Sequence, residues 1–345
     1  MKTTIHYISR IDKEGPVELL YEILKSTGAL GVRNIVITQG FKNAEYFRKF
    51  EKLGVEIHFC SRFNFLKLNY IVRCALSRFG VINYHSYCTA GLLYNLIIPI
   101  KVRKIHSCLV ESGIQAVAMN GLIKGTLIEK LNYLGYKLVN VLVAGSNGIS
   151  KSLEDVSSQL IIIIPNSVSR AKSHHSGFKH HRKYAVTVCR FSPEKNILGL
   201  IKSYRNLIEP SFDLFLIGDG KLRNEIEDAA SGCSNIHLVG FVDDFEKYFL
   251  SAEFYVSFSK IEGLPMSVLT AMAYGLPLIL SDIGGHDECV DLNGHLVDPE
   301  DLNQFQIAVD DVLKNRSLYS RRSIINFEER FSPECLGEGY NRTYE

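Results

Sequence analysis

Length, composition and charge already exclude several classes of protein. The chain has 345 residues, of which 46% are hydrophobic and 22% charged, with 26 glycines and 9 prolines. This composition can bury a core, which excludes a disordered or fibrous chain, and the length predicts about two domains. A net charge of +2 gives no overall electrostatic argument for nucleic acid, so no nucleic-acid partner is predicted.

The charge is distributed unevenly along the chain. Residues 1–166 hold 20 Lys+Arg and 11 Asp+Glu, a balance of +9, whereas residues 167–345 hold 19 and 26, a balance of −7. A basic first half favours an acidic substrate or an anionic membrane surface, where each cation contributes about 1 kcal/mol. An ordinary solvated basic surface also explains the charge, so both interpretations stay open.

Cysteine spacing and apolar runs bear on the cellular compartment. The eight cysteines lie far apart and form no Cys-x-x-Cys pair, which predicts neither a disulfide framework nor a zinc site and favours a reducing compartment. Residues 1–10 lack the apolar core of a signal peptide, and polar residues interrupt the uncharged stretch 79–100. We therefore predict a cytoplasmic protein, with peripheral contact at the inner face of the membrane as an open question.

Short runs rich in Val and Ile alternate with segments of helical period along the whole chain. In the first half, the predicted strands are 3–9, 34–38, 55–60, 81–84, 102–105, 141–144 and 160–164. In the second half, they are 184–189, 212–217, 236–239, 254–258, 277–280 and 295–297. This rhythm is typical of βαβ units, so we predict an α/β fold of two Rossmann-like, doubly wound domains facing a cleft.

A polar segment separates the two series of strands. Residues 167–183 lack periodicity and contain four histidines, His174, His175, His180 and His181. Because no acid or cysteine accompanies them, we predict a linker and not a metal site. The predicted domains are 1–166 and 184–345, and the last helix of the second is expected to pack back on the first.

Two cations follow the first strand of the second series. Arg190 and Lys195 lie five residues apart on a tight turn at the carboxyl end of that strand, where ligands bind in such sheets. An arginine fork and a lysine point charge suit a diphosphate, whose charge is spread over several oxygens. A pair of surface cations is the alternative.

A glycine turn and a longer motif follow later strands. Gly218-Asp219-Gly220 comes just before a predicted helix, and its amides can contact a ligand, although it is also an ordinary turn. Glu262 comes just before a second helix, which Pro265 is suited to begin. The free amides of that helix start favour phosphate, and the carboxylate can accept hydrogen bonds from sugar hydroxyls.

In order and spacing, these motifs resemble the donor domain of the retaining glycosyltransferases of family four, which have the GT-B fold. The resemblance covers most of residues 184–301 and includes the segments 235–243 and 281–285. It implies a hexosyltransferase type of enzyme that moves a sugar from a UDP- or GDP-sugar to a glycan acceptor, with retention and without a metal or other cofactor. It also implies that residues 1–166 bind the acceptor and residues 184–345 the donor.

The resemblance assigns roles to single residues. Arg190 and Lys195 correspond to a diphosphate clamp, and Glu262 to the first acid of a Glu-x7-Glu motif. His106 corresponds to a histidine near the donor sugar, with a structural histidine as the alternative, and His85 has a weaker claim. The candidate donor-binding residues are Gly15, Gly218, Asp219, Gly220, Gly263, Leu264, Pro265, Met266, Ser267 and Thr270.

The sequence departs from the family pattern at two places. Thr270 stands where the second acid of the motif is expected, which removes a charge-assisted hydrogen bond worth on the order of 1 kcal/mol. In the loop after the first strand, only Gly15 remains of a usual glycine pair. Two alternatives therefore stay open, a catalytically impaired nucleotide-sugar-binding protein and a nucleotide-sugar epimerase.

The expected acceptor is a lipid-linked precursor of a bacterial surface polysaccharide such as lipopolysaccharide, the commonest role of similar proteins. Two stretches bear on membrane contact. In residues 62–78 cations interleave with apolar side chains, and residues 101–104 carry three cations. A helix packing on a sheet shows the same stripe, so both interpretations stay open.

Overall fold

The computed structural model describes residues 2–12, 15–41, 44–61, 64–80, 82–108, 122–170, 177–208 and 211–345. The chain forms two compact units, one of Met1–Ser167 with Ser332–Glu345 and the other of Val168–Phe331. Each unit contains one parallel sheet flanked by helices. The predicted α/β class with two doubly wound domains is confirmed.

The first unit has a sheet of seven strands in the order β3-β2-β1-β4-β5-β6-β7. Its strands are β1 (Thr3–Ile8), β2 (Arg33–Thr38), β3 (Glu56–Phe59), β4 (Ile82–Ser86), β5 (Arg103–Cys108), β6 (Val141–Ala144) and β7 (Leu160–Ile163). Its helices before residue 168 are α1 (Gly15–Ala29), α2 (Ala44–Lys52), α3 (Phe65–Phe79), α4 (Thr89–Leu93), α5 (Leu122–Tyr136) and α6 (Asn147–Glu154). All six residues of β1 are buried, as expected for a central parallel strand covered on both faces.

The second unit has a sheet of six strands in the order β10-β9-β8-β11-β12-β13. Its strands are β8 (Lys183–Val188), β9 (Phe212–Ile217), β10 (Ile236–Gly240), β11 (Phe254–Ser257), β12 (Leu278–Ser281) and β13 (Gly294–Val297). Its helices are α7 (Ile197–Arg205), α8 (Arg223–Ala230), α9 (Glu246–Phe249), α10 (Met266–Ala273), α11 (Leu302–Lys314) and α12 (Arg316–Arg330). Every neighbouring pair of strands is parallel, so the carboxyl ends of all six strands lie at one edge.

The C-terminal helix α13 (Pro333–Thr343) lies in the first unit. Ser332 caps it by accepting a hydrogen bond from the Cys335 amide. Leu336 and Tyr340 are buried in the same apolar cluster as residues of α1. A β-carbon at Gly337 would lie 2.9 Å from Cβ of Ser26, so glycine allows the two helices to approach closely.

The predicted linker differs from the structure in detail. Of the predicted linker, residues 168–170 and 177–183 fall in the second unit, and Val168 and Phe178 pack in its apolar core, so this part of the linker is built into the unit. His174 and His175 lie outside the described residues. Among the helices that the structure describes, none is long and apolar enough to cross a membrane.

Candidate functional site

The turn that follows β8 packs tightly against the glycine turn that follows β9. The amide of Phe191 donates a hydrogen bond to the Asp219 carbonyl at 2.9 Å. Gly218 has a φ of 137°, and a β-carbon there would lie 1.8 Å from the Cys189 carbonyl oxygen. A β-carbon at Gly220 would lie 2.4 Å from the Phe191 carbonyl oxygen. Both glycines therefore permit the close approach of two loops at the carboxyl edge of the sheet.

Lys195 and Glu262 form an ion pair at this edge. Lys195 Nζ lies 2.5 Å from Glu262 Oε1, and their side chains are 18% and 9% exposed. The same Oε1 accepts a hydrogen bond from Ser259 Oγ at 2.7 Å. The Lys260 amide also donates to the Glu194 carbonyl at 2.8 Å, which joins the loop after β11 to the turn after β8. Lys195 and Glu262, both of which the resemblance assigns to the donor domain, are thus in direct contact.

Arg190 lies beside this pair with its guanidinium open to solvent. Its Nη2 is 3.6 Å from Glu194 Oε1, and its side chain is 59% exposed. Glu194 also accepts a hydrogen bond from Ser192 Oγ at 2.6 Å. Burial raises the pKa of Glu194, but the Ser192 hydrogen bond and the nearby charges of Arg190 and Lys195 outweigh it, and the net pKa is lowered. Glu194 is therefore ionised at neutral pH and orients the arginine.

Helix α10 begins at Met266, four residues after Glu262, and its first turn lies at the same edge. Pro265 precedes the helix in an extended conformation, with φ −75° and ψ 120°. The amides of Met266 and Ser267 lie in the first turn, where no intrahelical acceptor is available. Leu264 is buried in the core and anchors this turn. The sequence prediction of a helix start next to Glu262 is confirmed.

Thr270 lies within α10 and uses its hydroxyl inside the helix. Its Oγ1 donates a hydrogen bond to the Met266 carbonyl at 2.8 Å, and the residue is 8% exposed. Such a bond from threonine to the preceding turn is common in helices. The hydroxyl proton is therefore already engaged with the backbone.

The loop that follows β12 packs closely against the backbone of Glu262 and Gly263. Gly285 has a φ of 83°, and a β-carbon there would lie 2.1 Å from the Gly263 carbonyl oxygen. Ser281 Oγ donates to the Ser259 carbonyl at 2.5 Å and lies 3.1 Å from Nδ1 of the buried His286. Burial lowers the pKa of His286, with Glu262 opposing it, so the imidazole is neutral at pH 7. Sequence reasoning missed Ser259 and His286, and the position of Ser259 three residues before Glu262 was the available signal.

His106 lies in the first unit and inside a strand. The predicted strand 102–105 stops too early, because β5 continues past His106 to Cys108, which pairs with Ala144 of β6. Its Nδ1 is 2.9 Å from Ser86 Oγ, and burial lowers its pKa to about 3. The imidazole is therefore neutral and hydrogen-bonded within the sheet. Gly15 also lies in the first unit, as the first residue of α1.

His85 belongs to a buried network that the sequence did not predict. Its Nδ1 lies 2.8 Å from the hydroxyls of both Tyr87 and Tyr344, and its Nε2 lies 2.7 Å from Ser107 Oγ. His6 Nδ1 contacts the same Tyr87 hydroxyl at 2.8 Å. Burial lowers the pKa of both histidines, that of His6 to about 4. These contacts give His85 a structural role. They attach Tyr344, the residue that follows α13, to the sheet.

Comparison with known proteins gives a family match for most of the second unit. Residues 182–315 match the family described as glycosyl transferases group 1. This region is therefore similar to the group 1 glycosyl transferases. It contains Arg190, Lys195 and Glu262, the three candidate catalytic residues that the structure brings together.

Relatives of the chain include bacterial polysaccharide enzymes. The O-antigen biosynthesis glycosyltransferase WbnH of Escherichia coli is 31% identical over 136 residues, which cover 39% of this chain and 38% of WbnH. A UDP-Gal:alpha-D-GlcNAc-diphosphoundecaprenol alpha-1,3-galactosyltransferase of Escherichia coli is 28% identical over 165 residues, 44% of this chain and 43% of the relative. Each match thus spans less than half of the curated relative.

The likeness in fold extends over the whole chain. HepE of Anabaena, solved in complex with UDP-glucose, has a TM-score of 0.79 at 13% identity and covers 99% of each chain. At this identity the likeness concerns the fold alone. The GT-B fold that the sequence predicted is confirmed.

Proposed function

We propose that this protein is a retaining glycosyltransferase that moves a hexose from a nucleoside-diphosphate sugar to a lipid-linked glycan. The observation that carries the proposal is the cluster of Arg190, Lys195 and Glu262 at the carboxyl edge of the second sheet. The cluster lies within residues 182–315, the part of the chain that matches the group 1 glycosyl transferases.

The two cations of the cluster suit a diphosphate. An ammonium has three hydrogen-bond donors, and Glu262 takes one from Lys195, so two are left for phosphate oxygens. The exposed Arg190 guanidinium can bind further oxygens with its planar fork. Negative charge grows on the diphosphate as its bond to the sugar breaks, and fixed cations stabilise that charge. The clamp thus serves the leaving group without a step through a metal ion.

Glu262 is placed to contact the donor sugar. Both of its hydrogen-bond partners among the described residues, Lys195 and Ser259, contact Oε1. The other carboxylate oxygen, Oε2, is therefore left for a sugar hydroxyl. The first-turn amides of α10 lie next in the chain and can bind the nucleotide phosphates.

A thermal-shift panel of UDP- and GDP-sugars tests the proposal. We expect a UDP-hexose to raise the melting temperature most, since the galactosyltransferase relative is named for UDP-Gal. Arg190→Ala should remove most of that increase, because the variant lacks the guanidinium that is proposed to bind the diphosphate. The guanidinium is exposed, so its loss leaves the core unchanged. The matched control is Arg322→Ala on α12, which should respond as the wild type does. The proposal fails if no nucleotide raises the melting temperature of the wild-type protein.

The proposed lipid-linked acceptor calls for a membrane-facing surface, and the first unit has a suitable one. Leu66 and Tyr70 on α3 are 87% and 69% exposed, and Leu96 and Ile100 are 70% and 97% exposed. The rings of Phe65 and Tyr94 are 5.5 Å apart, which links α3 to the segment that carries Leu96. The exposed cations Lys67, Arg73 and Lys101 occur in the same segments. Exposed apolar side chains next to cations suit an anionic bilayer surface.

Vesicle flotation tests this surface. We expect the protein to float with vesicles containing anionic lipid at low salt, and Leu66→Ser with Ile100→Ser to reduce the bound fraction several-fold, because both side chains would lose their insertion into the interface. Ile208→Ser is the matched control, since Ile208 is 78% exposed but lies in the second unit. Wild-type protein that stays in solution at low salt would contradict the membrane contact.

A catalytically impaired nucleotide-sugar-binding protein is the second candidate. Thr270 favours it, because this residue replaces a carboxylate and its hydroxyl donates to the Met266 carbonyl. Turnover separates the two candidates. Binding of a donor without transfer to any lipid-linked acceptor, and without slow release of free sugar, would favour the second.

A further inference from the structure

Three titratable side chains meet at the edge of the second sheet opposite to the glycosyl transferase site. Asp213 is the second residue of β9 and His237 the second residue of β10, whereas Gly218 follows β9 at its other end. At about 3.3 Å per residue, Asp213 and Gly218 are separated by roughly 17 Å along the strand. His180 comes from the segment before β8. The cluster is therefore separate from the proposed donor site and does not rest on the proposed function.

The three side chains converge on one carboxylate oxygen. His180 Nε2 lies 2.7 Å and His237 Nε2 lies 2.8 Å from Asp213 Oδ2. One ligand atom from each residue lies within 4.8 Å of the other two. Asp213 is 3% exposed, His180 12% and His237 32%, so the cluster is open to solvent on the His237 side.

We infer that His180, Asp213 and His237 bind a Zn²⁺ ion, with water as the fourth ligand on the His237 side. Two imidazole nitrogens and one carboxylate oxygen form a common ligand set for zinc. Tetrahedral bonds of about 2.0–2.1 Å place ligand atoms about 3.3 Å apart, so each contact with Asp213 lengthens by roughly half an ångström. Zinc binding requires each imidazole to carry its proton on Nδ1 and to bind the ion through Nε2, and the metal takes the place of the two hydrogen bonds.

Neighbouring side chains already hold the ligands in place. Arg182 Nε lies 3.2 Å from Asp213 Oδ1, the oxygen that the ion does not need. The Phe215 ring stacks on His237 with centroids 4.5 Å apart and meets His180 edge-on at 5.1 Å. Partners that orient ligands in this way are typical of metal sites. Bound zinc would tie the segment that leads into β8 to the edge of the sheet.

Zinc titration of metal-free, tag-free full-length protein tests the inference. With a chromophoric zinc indicator as competitor, we expect one tightly bound Zn²⁺ per chain and a higher melting temperature with zinc. Asp213→Asn and His237→Ala should each weaken binding by at least tenfold. His295→Ala is the matched control, because His295 Nε2 contacts Asp311 Oδ2 at the same 2.7 Å but shares that oxygen with the Tyr319 hydroxyl and not with a second histidine. It should bind zinc as the wild type does.

Two outcomes would overturn the inference. Wild-type protein that competes with the indicator no better than His237→Ala would show that the cluster does not bind zinc. Equal zinc binding by wild type and Asp213→Asn would assign the ion to other histidines of the chain. Circular dichroism checks the fold of each variant, and the partly exposed His237 gives the decisive variant if Asp213→Asn does not fold.

Discussion

Replacement of Lys195 by methionine is expected to reduce sugar transfer by about 10²–10³-fold, the usual cost of removing one donor that stabilises a developing charge. The methionine keeps the length and apolar stem of the side chain but has no donor for Glu262 or for a phosphate oxygen. In the proposed reaction, the diphosphate then leaves without the ammonium that now lies 2.5 Å from Glu262 Oε1. Initial rates with the nucleotide sugar found in the binding panel measure the effect.

Two controls separate this loss from a loss of stability. Lys202→Met removes a cation that lies 3.9 Å from Glu300, where both side chains are more than 70% exposed, and should leave the rate unchanged. Lys195→Met leaves the buried Glu262 unpaired, which destabilises the protein. The double variant Lys195→Met with Glu262→Gln removes the unpaired carboxylate charge. It should restore the melting temperature without restoring sugar transfer. A wild-type rate for the single variant would contradict the clamp.

Replacement of Gly285 by alanine is expected to cause a large loss of stability, about 3 kcal/mol or more of the free energy of unfolding. Gly285 has a φ of 83°, and its added β-carbon would lie 2.1 Å from the Gly263 carbonyl oxygen and 2.9 Å from that of Glu262. The added β-carbon therefore pushes apart the Gly285 loop and the loop that carries Glu262, which alters the surroundings of the Glu262 carboxylate. Urea unfolding gives the stability, and nucleotide binding reports the displacement.

Gly232→Ala is the matched control for the backbone conformation. Gly232 has a φ of 76°, but a β-carbon there would have no atom within 4 Å. It should cost about 1–2 kcal/mol, the ordinary penalty for a left-handed residue, and leave nucleotide binding unchanged. Equal losses in the two variants would show that the contact between the loops carries no stability of its own.

The fold was predictable because local patterns determine most of it. Runs of β-branched residues and helical periods repeat in both halves of the chain, and parallel strands place their carboxyl ends at one edge. Arg190 and Glu262 each follow a strand of the same sheet, so their proximity could be inferred without coordinates. The length of β5 could not, because pairing with β6 extends it past His106.

Contacts between distant segments were beyond sequence reasoning. His180 was predicted to lack an acidic partner, yet Asp213 reaches it from β9, 33 residues later. Gly285 packs against the loop that carries Glu262, and this contact depends on the distance between two loops that are far apart in sequence. The hydroxyl of Thr270 could bond either a ligand or its own helix, and only the structure shows the bond to Met266.

The most direct test of the diphosphate clamp compares UDP with uridine by calorimetric titration of the wild type and of Lys195→Met. Both ligands present the same base and ribose, so the difference in affinity measures the contribution of the diphosphate to binding. The clamp predicts that the wild type binds UDP at least tenfold more tightly than uridine, and that Lys195→Met loses most of this preference. Equal affinities of the wild type for UDP and uridine, or an unchanged preference in the variant, would contradict it.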